Sequence, residues 1–131
     1  MNTLSLATVT LVVPDYDAAI AFYRDVLGFE LIEDTPLGGG KRWVIVAPEK
    51  GAALLLAKAS GSEQEAAIGN QTGGRVAFFL ETDAFDETHA RFTAGGVTFL
   101  EQPRHEPYGT VAVFSDPFGN RWDLIQVKDR V

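Results

Sequence analysis

Hydrophobic and polar residues alternate at the start of the chain. Within residues 4–13, Val9, Leu11 and Val13 fall on one side of an extended chain, with threonines on the other side. A period of two is typical of a strand that buries one face. Pro14 follows directly and ends the predicted strand.

Residues 18–27 change to a helical pattern, in which apolar side chains recur at helical spacing. Asp15 or Asp17 precedes this run and is expected to cap its first turn. Gly28 follows at the position where helices commonly end in a left-handed conformation. Further strand-like runs come next, at residues 29–33, 42–47 and 52–57.

The same order of elements then occurs again. Residues 28–33 read GFELIE and residues 96–101 read GVTFLE, and each glycine follows a predicted helix. Such self-similarity indicates a duplicated structural unit. The second set has a strand at 76–82, a helix at 83–94, and strands at 97–101, 110–115 and 121–127.

The predicted fold class is therefore α+β. Two βαβββ modules, at about residues 1–58 and 74–131, are expected to pair their sheets so that each covers part of the other's apolar surface. Residues 59–73 form the connector, and a short helix is predicted at 62–68. The whole chain, residues 1–131, is expected to be a single domain.

Charge and composition narrow the classes of partner. The 18 acidic and 11 basic residues give a formal charge of −7, which would repel nucleic acid and anionic membrane surfaces. Cysteine is absent, which excludes disulfides, thiolate zinc sites and cysteine nucleophiles, and we expect a cytoplasmic protein. The apolar N-terminal stretch is interrupted by threonines and Pro14, so we expect a strand there, not a signal peptide or membrane span.

Several segments resemble one protein superfamily. Residues 13–23 (VPDYDAAIAFY) and 27–29 (LGF) look like its first strand, turn and helix, while residues 107–109 (PYG) and 116–124 (DPFGNRWDL) look like its last hairpin. The chain is thus similar to the vicinal oxygen chelate superfamily of glyoxalases, bleomycin-resistance proteins and extradiol dioxygenases. The resemblance implies that the paired sheets are curved and mixed, with the helices on their outer faces, and that they enclose a shared cavity. It also implies a small-molecule ligand in that cavity and, as in many members, a homodimer.

The superfamily's metalloenzymes hold one divalent ion with His, Gln or Glu side chains, and the ion polarises two neighbouring substrate oxygens. At the matching positions this chain keeps one such donor, Asp123, where those enzymes commonly carry Glu. A stable transition-metal site needs about three protein donors. We therefore predict no metal and no other cofactor at the usual site. The other matching positions hold Thr8, Leu54 or Leu55, and Arg75 or Ala77.

The histidines do not restore this donor set. His89 falls in the middle of a predicted helix beside Phe85 and Phe92, so we expect a helix or interface residue. His105 falls in a predicted turn near the cavity mouth. It is either an ordinary solvated histidine, a ligand contact or a general base.

Arg75 and Asp123 form the predicted polar centre of the cavity. A guanidinium on a cavity-facing strand needs a partner, because burying it alone is costly. Asp123, at the corresponding place in the last strand, is the expected partner. The two residues form either a closed ion pair that replaces the metal, or a site where Arg75 keeps a donor for an acidic ligand.

Other candidate ligand contacts lie nearer the rim. Alternation sends Arg42 and Trp43 to opposite faces of their strand, so one of the two can reach the cavity, although such a tryptophan is often core. Tyr108 either leans over the opening or packs the hairpin turn. Thr8 occupies the position of the superfamily's first metal ligand and is expected to face the ligand instead.

The sequence leaves three functions open. The preferred one is a small-molecule-binding protein of the bleomycin-resistance type, with an aromatic or acidic ligand. The second is a metal-dependent lyase, isomerase or dioxygenase whose altered metal site uses Asp123, His105 and waters. The third is a metal-free enzyme with Asp123 or His105 as base, although an arginine beside Asp123 would oppose the raised pKa that such a base needs.

Overall fold

The computed structural model describes residues 2–128, and this part of the chain divides after Ile68 into two compact units. Each unit carries a mixed β-sheet, and the elements follow one another in the expected order, so the predicted α+β class is confirmed. The pairing of the two sheets around a cavity stays a prediction. Within residues 2–128, no helix is long and apolar enough to cross a membrane.

The first unit contains sheet 1, whose strands are ordered β1-β4-β3-β2. β1 runs parallel to β4, and the other neighbours are antiparallel. The strands are β1 (Thr8–Val13), β2 (Glu30–Gly38), β3 (Lys41–Ala47) and β4 (Ala53–Lys58). The helical segments are α1 (Tyr16–Ile20), its π-helical continuation Ala21–Val26, and α2 (Ser62–Ala67).

The first helix begins where its sequence allows a cap. Asp15 has an extended backbone, and its carboxylate accepts a hydrogen bond from the Ala18 backbone N–H at 2.8 Å, so Asp15 and not Asp17 is the cap. After the π-helical turn, Gly28 has a φ of 86°, which a side chain would strain. Apolar side chains of this helical segment are buried with those of sheet 1, including Ala19, Ile20, Tyr23, Leu11, Val44 and Leu56.

The second unit contains sheet 2, ordered β5-β9-β8-β6, with β7 also paired to β8. β7 is absent from the sequence prediction, because the prolines at 103 and 107 made its three residues read as a turn. The strands are β5 (Phe78–Glu81), β6 (Thr98–Phe99), β7 (Arg104–Glu106), β8 (Gly109–Ser115) and β9 (Arg121–Val127). Its helix is α3 (Phe85–Ala94).

Alternation gives sheet 2 two different faces. On β9, Trp122 and Leu124 are buried, 4% and 0% exposed, on the side where α3 packs. Asp123, between them, points to the opposite face and is only partly buried. On that face Phe79 is 67% exposed, an unusual state for a strand phenylalanine. We call this side, with Asp123 and Phe79, the open face of sheet 2.

Candidate functional site

Asp123 lies at the centre of the open face of sheet 2. Its direct cross-strand neighbours are Phe79 on β5 and Val113 on β8. The Oδ1 atom is inaccessible to solvent and has no hydrogen-bond partner. A carboxyl oxygen in this state costs free energy, because the water it has lost is not replaced by another donor.

The surroundings of Asp123 act on its pKa in opposite directions. Burial raises the pKa of Asp123, because it penalises the charged form, and the negative charge of Glu101 adds to this effect. The positive charge of Arg104 lowers the pKa of Asp123, but the net shift is upward. The carboxyl group therefore holds its proton to a higher pH than an ordinary aspartate does.

Arg104 is held in place by two other carboxylates. Its Nε atom lies 2.9 Å from Glu101 Oε1, and its Nη1 atom lies 3.1 Å from Glu106 Oε1. The second oxygen of Glu101 accepts a hydrogen bond from the Val113 backbone N–H at 2.9 Å. The hydrogen bond to Glu101 is the main reason why the pKa of Arg104 is raised. This network fixes the guanidinium near Asp123 without giving Asp123 a hydrogen bond.

Arg75 occupies a different place from the one predicted. β5 begins only at Phe78, so Arg75 lies at a bend before the strand, and its side chain is exposed. Among residues 2–128 the ion pairs do not include Arg75 with Asp123. The cation that acts on Asp123 is Arg104, which sequence reasoning missed because β7 had been read as a turn. A ligand contact by Arg75 stays a prediction.

Arg42 packs against α1. Its guanidinium donates to Asp34 at 3.0 and 2.7 Å and to Asp17 at 2.9 Å, and it lies 5.1 Å from the centre of the Tyr16 ring. The backbone N–H of Arg42 also donates to Tyr16 Oη. These hydrogen bonds lower the pKa of Asp34 and raise that of Arg42. We call this arrangement the Arg42 clamp. It ties the β2–β3 hairpin to the helix, and a ligand contact by Arg42 would compete with it.

The other predicted contacts lie at exposed positions. Trp43 is 41% exposed on β3, on the face opposite to Arg42, and Thr8 is exposed at the start of β1. Tyr108 is 50% exposed in the turn between β7 and β8. His105 belongs to β7, not to a turn, and its Nδ1 lies 3.2 Å from Thr110 Oγ1. Their roles in ligand binding stay predictions.

His89 is enclosed by aromatic rings, as expected for a helix histidine. Its ring centre lies 4.0 Å from that of Phe99 and 5.7 Å from that of Phe85, in stacked arrangements. Its Nε2 atom is buried without a hydrogen-bond partner. His89 lines a cleft of about 480 Å³ between α3 and the β6 edge, together with Thr93, Val97, Phe99, Leu100, Glu101 and Gln102.

The donor set does not fit the divalent metal of the superfamily's enzymes. Asp123 is the one carboxylate at the matching positions, and its Oδ1 atom is inaccessible to solvent. Within residues 2–128, no three His, Asp or Glu side chains lie together in a way that could hold an ion. Recognition of a ligand on the open face of sheet 2 can instead use an aromatic ring and a carboxyl group.

The raised pKa of Asp123 predicts a pH-dependent stability. The folded state binds this proton at pH values where the unfolded chain has lost it, so stability falls as the pH rises above the usual aspartate range, through the folded pKa. In Asp123→Asn, the free energy of unfolding should lose the decrease with rising pH that Asp123 causes. Urea unfolding between about pH 4 and 7 measures this difference. Asp86→Asn, at an exposed position of α3, is the control. Identical pH profiles for wild type and Asp123→Asn would contradict the prediction.

Comparison with known proteins places the chain in a family. The family model of the Glyoxalase/Bleomycin resistance protein/Dioxygenase superfamily matches residues 5–124. An uncharacterized protein of Shewanella frigidimarina (strain NCIMB 400) is 50% identical over 129 residues, which are 96% of each chain. The protein YetH of Bacillus subtilis (strain 168) is 32% identical over 120 residues, 88% of this chain and 92% of YetH.

Solved structures agree with this placement. The crystal structure of UcmS2 is similar with a TM-score of 0.80 and 33% identity, over 95% of this chain and 98% of UcmS2. TnmS3, an antibiotic binding protein from Streptomyces sp. CB03234, gives a TM-score of 0.78 and 31% identity, over 98% of this chain and 99% of TnmS3. The chain therefore belongs to the Glyoxalase/Bleomycin resistance protein/Dioxygenase superfamily.

Proposed function

We propose that this protein binds a small aromatic molecule on the open face of sheet 2, without a tightly bound metal. The observation that carries this proposal is the 67% exposure of Phe79 directly across from Asp123. An aromatic ligand would cover Phe79 and gain the free energy of burying two rings. The similarity to TnmS3, an antibiotic binding protein, supports a binding role.

The absence of cysteine fits the predicted cytoplasmic location.

Phe79→Ala should weaken the binding of aromatic ligands at least about fivefold, because an aromatic contact contributes roughly 1 kcal/mol beyond the area it buries. Dissociation constants from a panel of aromatic compounds, measured by calorimetry, test this expectation. Leu37→Ala is the control, because Leu37 is also exposed, at 52%, but lies at the end of β2 in the first unit. Unchanged affinity in Phe79→Ala would place the ligand elsewhere.

A metal-dependent lyase, isomerase or dioxygenase with altered ligands is the first alternative. We expect purified protein to contain much less than one transition-metal ion per chain, because Asp123 alone is too small a donor set. Elemental analysis before and after chelation measures the metal content per chain. Thermal unfolding of both samples shows whether any bound ion stabilises the fold. A stoichiometric ion whose removal lowers the melting temperature would favour the metalloenzyme instead.

A metal-free enzyme with Asp123 as base is the second alternative, and one observation favours it. The sequence suggested that a neighbouring arginine would keep the pKa of Asp123 low, yet burial outweighs Arg104 and the pKa is raised. A general base is most effective when its pKa lies near the working pH. Turnover of enolisable ketoacids, hemithioacetals or catechols that disappears in Asp123→Asn would support this alternative over simple binding.

We also propose that the protein is a homodimer. Leu4 and Leu6, just before β1, are 92% and 72% exposed, and such apolar surface is stabilised by a second copy. Light scattering at micromolar concentration should give a molar mass of twice 14.2 kDa. The double variant Leu4→Ser/Leu6→Ser should shift the mass toward the monomer, while Leu37→Ser should not. A monomeric wild type would contradict the proposal.

A further inference from the structure

Asp123 has an acceptor atom that lacks a donor. Its Oδ1 atom is removed from solvent and makes no hydrogen bond, although buried polar atoms are paired in the great majority of cases. The side chain as a whole is only partly buried, so the carboxyl group can still be approached from the open face. A bound molecule can therefore bring a donor to the accessible part of this carboxyl group.

The neighbouring side chains do not supply this donor. Phe79 and Val113, the residues directly across from Asp123, carry no side-chain N–H or O–H group. Arg104 acts on Asp123 through its charge, but its Nε and Nη1 atoms donate to Glu101 and Glu106, and within residues 2–128 no hydrogen bond joins it to Asp123. A ligand can therefore supply the hydrogen bond that Asp123 lacks.

The charges around Asp123 favour a positively charged donor. Asp123, Glu101 and Glu106 are three carboxyl groups that share one nearby guanidinium, that of Arg104. The same face also carries Glu81 on β5 and Arg121 on β9, in phase with Phe79 and Asp123, and these two charges offset each other. A cation would meet a complementary field here, whereas a carboxylate would be repelled.

The position of Phe79 defines where the donor sits on the ligand. Adjacent strands lie about 4.8 Å apart, so a ring stacked on Phe79 brings a substituent of one or two bonds over Asp123. We propose that the ligand of this face is an aromatic compound with a protonated amidine or amine attached to its ring system. The nitrogen donates to Asp123 while the ring covers Phe79. This inference rests on the proposed function, because it specifies the ligand of the same face.

Three matched probes test the charge of the ligand: 2-naphthamidine, 2-naphthamide and 2-naphthoate, which share one ring system. The amidine should bind about tenfold more tightly than the amide, because a charge-assisted hydrogen bond is stronger by roughly 1.4 kcal/mol. The naphthoate should bind most weakly. Dissociation constants come from calorimetry, and amide chemical shifts of residues 79 and 123 report whether the probe lies on this face.

Two variants, each of which removes one carboxylate of this face, distinguish a direct contact with Asp123 from a general electrostatic attraction of the ligand. In Asp123→Asn, the amidine and the amide should bind within about twofold of each other, because the charged acceptor is lost. In Glu81→Gln, which removes another carboxylate of the same face, the preference for the amidine should persist. Thermal unfolding shows whether both variants fold. If Asp123→Asn does not fold, the order of the three dissociation constants in wild type and in Glu81→Gln still tests the preference for a cationic ligand.

The possible outcomes distinguish this inference from the proposed function. If the three probes bind equally and Phe79→Ala weakens all of them, the aromatic site stands and the cationic ligand is wrong. If the naphthoate binds best and Arg75→Ala abolishes its advantage, an acidic ligand replaces the cationic one. If Glu81→Gln removes the preference as completely as Asp123→Asn, direct contact with Asp123 is wrong. If no probe binds wild type, both proposals fail.

Discussion

Each mixed sheet in this fold has two faces and one main helix, and this imbalance shapes the rest of the structure. Strand alternation sends Trp122 and Leu124 toward the helix side of sheet 2 and Asp123 to the other side. One helix covers one face, so apolar residues such as Phe79 remain in contact with solvent on the other. A surface of that kind is stabilised by whatever covers it, and this supports the proposed ligand-binding function.

Two aspartates illustrate how local geometry decides what a carboxyl group can do. Asp34 receives two hydrogen bonds from Arg42, and its pKa is lowered. Asp123 also has an arginine nearby, but Arg104 donates its hydrogen bonds to other carboxylates, so the cost of burial prevails and the pKa of Asp123 is raised. The pKa of an aspartate therefore depends less on whether an arginine is nearby than on whether that arginine donates its hydrogen bonds to it.

The sequence predicted the fold more fully than the site, for physical reasons. The Asp15 cap, Gly28 and the alternation in β9 depend on near neighbours in the chain, and these local signals also revealed the duplication. The placement of Arg75 and of Arg104 depends on where β5 begins and on whether residues between two prolines pair with β8. The pairing of β5 with the distant β9 is a long-range property that local composition does not encode, whereas β7 forms a local hairpin with β8 that the flanking prolines obscure.

The position of Phe79, but not its exposure, could have been found from the sequence. Its alternation is in phase with Arg75, which was singled out, and the parallel alignment of β5 with β9 then places it across from Asp123. The residue was overlooked because a phenylalanine in a strand is ordinarily core. Exposure is decided by what packs on the sheet, and that can be judged only from the three-dimensional structure.

The Arg42 clamp has a consequence for how the first unit responds to force and to temperature. One guanidinium on β3 joins its own hairpin to α1, through Asp34 on β2 and through Asp17 and the Tyr16 ring on the helix. The hairpin is thereby anchored to the helix, so separating the two by heat or by force requires these contacts to break.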